Sequence, residues 1–254
     1  MSISRRELLK LGASSLAYII AGQIFFGEKV SAEVVRRFSD LDIINLLKDL
    51  PKFDGLFTIE TNILNLFADD FGHSVHQMPL GVLKPANSMD IQKIAEFCLE
   101  KKIKLSMRGI GGSAYGQTQQ AEGIIIDSTS MKNMMWLSQD LIQIEPGATW
   151  KEILDYTIQS NRVPYVFPDT LVTTIGGHAN AGGIGSSSFS FGSIVDHIIE
   201  FDLITIEGVQ LTCNEDVNSD VFHAALGSMG QLGFMTRIVL RTMAAPVQVH
   251  VRRY

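Results

Sequence analysis

The chain has 254 residues, of which 46% are hydrophobic and 19% are charged, and its formal net charge is −6. This composition is typical of a folded globular chain and excludes a disordered one. The negative net charge argues against a nucleic-acid-binding protein. Two cysteines cannot build a disulfide framework, so we interpret Cys98 and Cys213 as buried thiols. The length allows one large domain or two small ones.

The first 32 residues have the pattern of an export signal. A twin-arginine motif lies within Ser4–Lys10, an apolar run from 11 to 26 follows, and Val30-Ser31-Ala32 offers small residues for cleavage. The apolar run is too short and too often interrupted for a stable membrane span. A plain Sec signal or an uncleaved anchor is the alternative. We expect a twin-arginine signal peptide over 1–32 and a periplasmic or secreted mature protein.

Residues 33–78 are predicted to form a helical lead-in to the main domain. Hydrophobic spacing predicts a helix over Phe38–Leu47 and a second helical or turn segment over Ile59–Phe71. His73 and His76 lie three residues apart, but no cysteine or further histidine is near them. We therefore expect solvated loop histidines and no metal site.

A β-α-β unit is predicted next. A strand over Gly81–Pro85 ends at the proline, Ser88 caps a helix over Met89–Lys102, and a second strand covers Ile103–Met107. One face of the helix carries an apolar stripe at the helical repeat, formed by Ile91, Ile94, Ala95, Cys98 and Leu99. The unit delivers the chain to a glycine-rich segment.

This segment, Arg108–Gln117, is called the first glycine loop here. Its glycines reach positive φ without steric cost and leave the backbone open to a ligand, so successive amides can converge on an anion. It has neither the Lys-Ser/Thr pair of a P-loop nor the third glycine of the Rossmann fingerprint. The spacing predicts a phosphate cradle for a dinucleotide, and a surface turn is the alternative. The residues that we expect to contact this dinucleotide are Arg108, Gly109, Ile110, Gly111, Gly112, Ser113 and Gln117.

Five strands and two helices are predicted over the rest of the chain. Glu207-Gly208 is predicted to be the turn of a hairpin. A second glycine-rich segment, Thr173–Gly185, is expected to let the backbone pass close to the same ligand. The predicted elements are strands over 123–127, 141–145, 198–206, 209–213 and 234–240, and helices over 149–159 and 220–226.

Three blocks of this sequence resemble the vanillyl-alcohol-oxidase/PCMH flavoproteins. Arg108–Gln117 is similar to their flavin-binding loop, and Asp169–Gly177 and Thr212–Arg237 are similar to segments of cytokinin dehydrogenases. The resemblance runs from about Leu80 to the C-terminus. It implies an α+β fold with an FAD-binding PCMH-type domain over 79–243. Such a domain has two α/β subdomains, an N-terminal β-α-β piece and a larger, mainly antiparallel sheet with flanking helices.

The resemblance also implies a cofactor and residue roles. The family would bind FAD and a small-molecule substrate, with Asp169 accepting a proton as hydride leaves a C–N or C–O bond. Gly112 stands where most cytokinin dehydrogenases have the histidine that is bonded to the flavin, so we expect non-covalent FAD. Further FAD contacts by register are Asp169, Thr174, Gly176, Gly177, Asn180, Ile184 and the backbone of Phe234.

Residues 244–254 resemble the start of the link to the family's substrate domain, which we expect to lie outside this chain. Two functions therefore stay open. One is an FAD-dependent dehydrogenase or oxidase of the cytokinin-dehydrogenase type. The other is a flavin-binding module without activity of its own, from a truncated gene or from a split enzyme whose substrate domain is encoded separately.

Overall fold

A computed structural model of the protein describes residues 40–248. The predicted signal peptide and the end of the 244–254 segment lie outside these residues. The helices are α1 Asp40–Lys48, α2 Thr61–Ala68, α3 Ser88–Lys101, α4 Trp150–Ile158, α5 Ile175–Ala181, α6 Ser188–Phe191 and α7 Ser219–Ala225. The strands are β1 Leu56–Thr58, β2 Gly81–Lys84, β3 Leu105–Arg108, β4 Ile124–Asp127, β5 Met134–Trp136, β6 Leu141–Ile144, β7 Arg162–Pro164, β8 Ile198–Ile204, β9 Gln210–Asn214 and β10 Phe234–Ala244.

The first sheet has the strand order β1-β2-β4-β3 and contains the predicted β-α-β unit. β2 and β3 both run parallel to β4, which lies between them, and β1 is antiparallel to β2. The N-cap of α3 is Asn87 rather than the predicted Ser88, because the Asn87 side chain accepts a hydrogen bond from the amide of Asp90. Leu99 is 48% exposed and leaves the predicted stripe. The stripe residues that are completely buried are Ile91, Ile94, Ala95 and Cys98.

The second sheet is antiparallel and is organised around β10. The order is β5-β6-β10-β8-β9, and β7 pairs with the far end of β10. A strand of 11 residues can serve three partners because β6 and β8 pair with its two opposite edges and β7 pairs with its last three residues, Thr242–Ala244. Helix α4 packs on this sheet and begins with a capping box, in which Thr149 and Glu152 satisfy each other's backbone amides. Trp150, the first residue of α4, is completely buried in the core of the sheet.

These observations confirm the predicted α+β fold with a β-α-β piece and a larger, mainly antiparallel sheet. Both cysteines are buried, and burial raises the pKa of the Cys98 thiol to about 12. None of the helices formed by residues 40–248 is long and apolar enough to cross a membrane.

Candidate functional site

A cleft of about 880 Å³, called the intersheet cleft here, is lined by residues from both sheets. The first sheet contributes the end of β3 and the first glycine loop. The second sheet contributes the β8–β9 turn at Thr205–Glu207 and the segment Met229–Met235 that leads into β10. Residues of α5, from Gly176 to Ala181, complete the lining. The volume lies in the upper part of the range found for ligand pockets and suits a ligand as long as a dinucleotide.

The first glycine loop presents open amides to the intersheet cleft. Along the described chain, no acceptor takes a hydrogen bond from the amides of Gly111, Gly112 or Ser113. Gly111 has φ +80°, which favours glycine. A Cβ at Gly109 would lie 2.3 Å from Oγ1 of Thr174, so the absence of a side chain there lets the loop touch the start of α5.

Two polar side chains of the first glycine loop bond within the loop or to the residue directly after it. Oε1 of Gln117 accepts from the amide of Tyr115 at 3.0 Å, and Oγ of Ser113 lies 3.2 Å from Oγ1 of Thr118. These bonds stiffen the loop and leave the backbone as its main ligand-binding surface. The arrangement fits an anion cradle made of amides.

The second glycine-rich segment forms the short helix α5, where the sequence predicted only a close pass of the backbone. The amides of Ile175 and Gly176 donate to the carbonyls of Ala148 and Pro146, both at 3.0 Å. The amide of Gly177 has no acceptor within residues 40–248 and stands at the cleft. Asn180 bonds back along the helix through Nδ2 to the carbonyl of Gly176, at 2.8 Å.

His178 lines the intersheet cleft and is hydrogen-bonded to the buried side chain of Trp150. The Nε1–H of Trp150 donates to Nδ1 of His178 at 3.0 Å. Because an indole nitrogen only donates, Nδ1 must be the unprotonated nitrogen, and the ring proton lies on Nε2. Burial lowers the pKa of His178, and the Thr174 carbonyl oxygen, 3.3 Å from Nδ1, only partly offsets this. The side chain is therefore neutral at pH 7.

The segment Met229–Gly233 is a third part of the lining that sequence reasoning missed. Three residues in or beside it have positive φ, namely Met229 (58°), Gly230 (76°) and Gly233 (150°). The amide of Met229 donates to the carbonyl of Asn180 at 2.7 Å, which fixes the segment to α5. The sequence signal that could have indicated this segment is the glycine at every third position from Gly227 to Gly233. Glycine is the residue that adopts positive φ without steric cost.

The structure brings most of the predicted FAD-binding residues together. Those that line the intersheet cleft are Gly109, Ile110, Gly111, Gly112, Ser113, Gln117, Thr174, Gly176, Gly177, Asn180 and Phe234. Arg108 lies behind the loop, where its Nη1 donates to the carbonyls of Phe67 and Asp69 at 3.0 and 3.1 Å. Asp169 is exposed and Ile184 is 75% exposed, and neither lines the cleft.

The cleft therefore combines open amides on two elements with glycines that a side chain would obstruct. Gly109 and Gly111 leave no room for a Cβ, and at Gly176 a Cβ would lie 2.7 Å from Cβ of Pro146. The donors are uncharged amides, which suit a diphosphate bridge. Within residues 40–248 no group of three or more His, Cys, Asp or Glu side chains could hold a metal ion. The residues present fit a dinucleotide.

Comparison with known proteins agrees with this geometry. A family model described as an FAD binding domain matches residues 79–214, more than half of the chain. The chain belongs to the PCMH-type family of FAD-binding oxidoreductases. It is 31% identical over 210 residues to cytokinin dehydrogenase 3 of Arabidopsis thaliana, covering 80% of this chain and 40% of that protein. With cytokinin dehydrogenase 9 of Oryza sativa subsp. japonica it shares 32% identity over 216 residues, covering 82% and 41%.

A solved structure shows the same fold. The crystal structure of 6-hydroxy-D-nicotine oxidase from Arthrobacter nicotinovorans superposes with a TM-score of 0.71 at 18% identity, over 76% of this chain and 43% of that one. The chain spans about two fifths of the length of the curated relatives it matches. It covers 40% of the Arabidopsis cytokinin dehydrogenase and 41% of the Oryza one.

Proposed function

We propose that the protein binds FAD non-covalently in the intersheet cleft and serves in hydride transfer from a C–N or C–O bond of a small substrate. The observation that carries this is a set of amides on two elements that have no acceptor among residues 40–248, those of Gly111–Ser113 in the first glycine loop and of Gly177 in α5. Such amides bind the diphosphate without a charged side chain. When bound, FAD supplies the hydride acceptor.

Several residues of the chain support the binding of FAD and have no role in the proposed hydride transfer. The contact that Gly109 permits with Thr174 keeps the two amide groups at a fixed separation. Phe234 is 7% exposed, pairs with Ile204 in the second sheet and packs into the core of the first, so its backbone is held rigidly at the cleft. A rigid site of this kind binds with less loss of conformational entropy.

Gly112 carries the proposal that the cofactor is not covalently attached. Its position offers no nucleophile to the flavin ring, and the amide cradle does not need one. We expect acid precipitation of the yellow holoprotein to release all the flavin into the supernatant. Colour that stays with the precipitate would show that another residue forms a bond to the flavin.

Asp169 is proposed to accept the proton that the substrate loses. The carboxylate is exposed, and the chain continues from it through Thr173 and Thr174 into the cleft lining. The cytokinin dehydrogenases named above suggest a cytokinin as the first substrate to try. We expect wild-type chain loaded with FAD to lose its flavin absorbance near ~450 nm when a cytokinin is added without oxygen.

The variant Asp169→Asn separates this chemistry from binding. We expect it to bind FAD as the wild type does and to be reduced roughly 100-fold more slowly or worse, as loss of a general base predicts. FAD binding by the wild type without any bleaching would favour the second function, a flavin-binding module that needs a partner. That function is favoured by one observation, the exposure of Asp169 outside the cleft lining. Failure of the wild type to bind FAD would end both proposals.

A further inference from the structure

The first glycine loop is held by a segment that takes no part in lining the cleft. Residues 67–76 run from the end of α2 through a turn and contribute nothing to the lining of the intersheet cleft. They also precede the part of the chain that the family model matches, which begins at residue 79. Yet hydrogen bonds join this segment to both ends and to the middle of the first glycine loop.

Asp70 is the centre of these contacts. It is only 2% exposed, and its Oδ1 accepts hydrogen bonds from the amides of Ser74 at 2.8 Å and Val75 at 3.3 Å. Its Oδ2 accepts from the amide of Gly116 in the first glycine loop at 3.0 Å. One buried carboxylate therefore fixes the turn of its own segment and the far end of the loop together.

Backbone geometry at Gly116 makes this contact specific. Gly116 has φ +71°, and a Cβ there would lie 2.7 Å from Cγ1 of Val75. The loop therefore approaches the segment closely at the point where Asp70 holds it. Without the carboxylate, the amide of Gly116 would be left against apolar atoms without an acceptor, which is costly.

Four further hydrogen bonds and a cation–π contact complete the support. The amide of Phe71 donates to the carbonyl of Ser113 at 3.0 Å. At the start of the loop, Arg108 donates to carbonyls of the segment, and its guanidinium lies over the ring of Phe67 at 5.1 Å. Just after the loop, Nε2 of Gln119 donates to the carbonyl of Asp69 at 2.8 Å.

We propose that Asp70 is a positioning residue that holds the first glycine loop in its ligand-binding conformation, so that the affinity for FAD depends on a carboxylate outside the cleft. This inference rests on the proposed binding of FAD. Amides converge on an anion only in one loop conformation, and a loop already held there loses less conformational entropy on binding.

The ionisation of Asp70 agrees with this role. Burial raises the pKa of its carboxyl, but the hydrogen bonds from the amides of Ser74, Val75 and Gly116, together with His73, outweigh the burial. The net pKa lies below its ordinary value. The group is therefore a carboxylate at neutral pH, with both oxygens available as acceptors.

The test compares Asp70→Asn with Asp69→Asn in the full chain. Asparagine keeps one acceptor oxygen but turns an NH₂ group toward amides that also donate. Asp69 is the matched control, because it loses the same charge while its carboxylate, on a side chain that is 38% exposed, is hydrogen-bonded only to His73 among residues 40–248 and its backbone carbonyl is unchanged. We expect Asp70→Asn to weaken FAD binding on the order of tenfold or more and Asp69→Asn to leave it within about twofold.

Hydrogen exchange of the ligand-free proteins gives a readout that does not need FAD. We expect the amides of Tyr115 and Gly116, which are hydrogen-bonded in the wild type, to exchange faster in Asp70→Asn than in Asp69→Asn. Equal exchange and equal FAD affinity in the two variants would overturn the inference. If the wild type binds no FAD, the proposed function fails, and the exchange rates still decide whether Asp70 holds the loop.

A second variant covers the case in which Asp70→Asn does not fold. Gly72 is exposed, and a Cβ there would lie 2.7 Å from the carbonyl oxygen of Ala114. Gly72→Ala therefore pushes on the loop from the segment without removing any hydrogen bond. We expect weaker FAD binding and faster loop exchange than in Ser74→Ala, which changes a neighbouring exposed side chain. Wild-type behaviour of Gly72→Ala would count against the inference.

Discussion

Two adjacent glycines of the first glycine loop differ in how strictly they exclude a side chain. Gly111 has φ +80°, and a Cβ there would lie 2.2 Å from Nη2 of Arg108. At Gly112 the nearest atom to a Cβ is Cγ2 of Thr173 at 3.6 Å, which is an ordinary contact. The same substitution at neighbouring positions thus separates backbone strain from the mere addition of a methyl group.

We expect Gly111→Ala to lower the affinity for FAD by about tenfold or more, because alanine in the left-handed region costs roughly 1–2 kcal/mol and 1.4 kcal/mol corresponds to tenfold. Gly112→Ala should change the affinity by less than about threefold. Flavin fluorescence titration of the two purified variants measures both. Equal losses would mean that the loop relaxes freely and that its conformation is not what binds the cofactor.

At the scale of single residues, the loop glycines were predictable because the demand for glycine is local and shows in the spacing. The position of Arg108 was not predictable. Its guanidinium turns away from the cleft because the carbonyls of Phe67 and Asp69, about 40 positions earlier in the chain, accept its hydrogen bonds. No pattern around Arg108 contains that information. The same holds for His178, whose partner Trp150 lies on another helix.

At the scale of elements, the periodic segments were predicted, and the three-residue strands and one glycine-containing helix were missed. The sequence shows α3, α4, β8 and β10, whose apolar residues recur at the helical or strand repeat. β1, β5 and β7 have three residues each, too few to show a period, and exist because longer strands pair with them. Helix α5 contains two glycines, which disfavour a helix, and is held by bonds to Pro146 and Ala148.

Ion pairs and hydrogen bonds between side chains join β8, β9 and β10 at one side of the second sheet. Arg237 of β10 forms a two-bond pair with Asp202 of β8, with both distances 2.8 Å, and also contacts Glu200 at 2.7 Å. Thr212 and Asn214 of β9 donate to these two carboxylates at 2.8 Å. The Arg237 side chain is 21% exposed and that of Asp202 11%, so solvent screens the pair only weakly.

Asp202→Asn is therefore expected to lower the free energy of unfolding by about 3 kcal/mol at pH 7, as removing one partner of a largely buried pair does. Burial raises the pKa of Asp202, but bonds from Arg237 and Thr212 outweigh it, and the net pKa is lowered. Because the folded pKa lies below the unfolded value of about 3.9, the stabilisation is present above that value and is lost as the pH falls through the folded pKa. The difference from wild type should therefore shrink in urea unfolding at about pH 3.

An exposed pair on α4 provides the control for this prediction. Lys151 and Asp155 lie four residues apart, and their side chains are 63% and 61% exposed. Asp155→Asn removes the same charge type from a pair that water screens, so we expect a loss below about 0.5 kcal/mol. Similar losses for Asp155→Asn and Asp202→Asn would show that the network across β8, β9 and β10 adds no stability of its own.

At the scale of the whole described molecule, the two sheets share one core. Ile204 at the end of β8 and Phe234 at the start of β10 are paired in the second sheet. Both side chains nevertheless pack among residues of the first sheet and of α3, together with Ile94 and Ile126. The intersheet cleft lies beside this junction, since Phe234 also lines it. The two walls of the intersheet cleft are therefore joined by buried apolar contacts.

Such a junction should make the two sheets unfold together. Of the two tryptophans of the chain, Trp150 lies in the core of the second sheet and the partly buried Trp136 packs against that core, whereas Ile126 is completely buried in the core of the first sheet. Ile126→Ala leaves a cavity and should cost about 2–4 kcal/mol. We expect the midpoint of urea unfolding followed by tryptophan fluorescence to fall as far as the midpoint followed by far-UV circular dichroism. A fluorescence midpoint that stays at the wild-type value while the other falls would mean that the two sheets unfold separately.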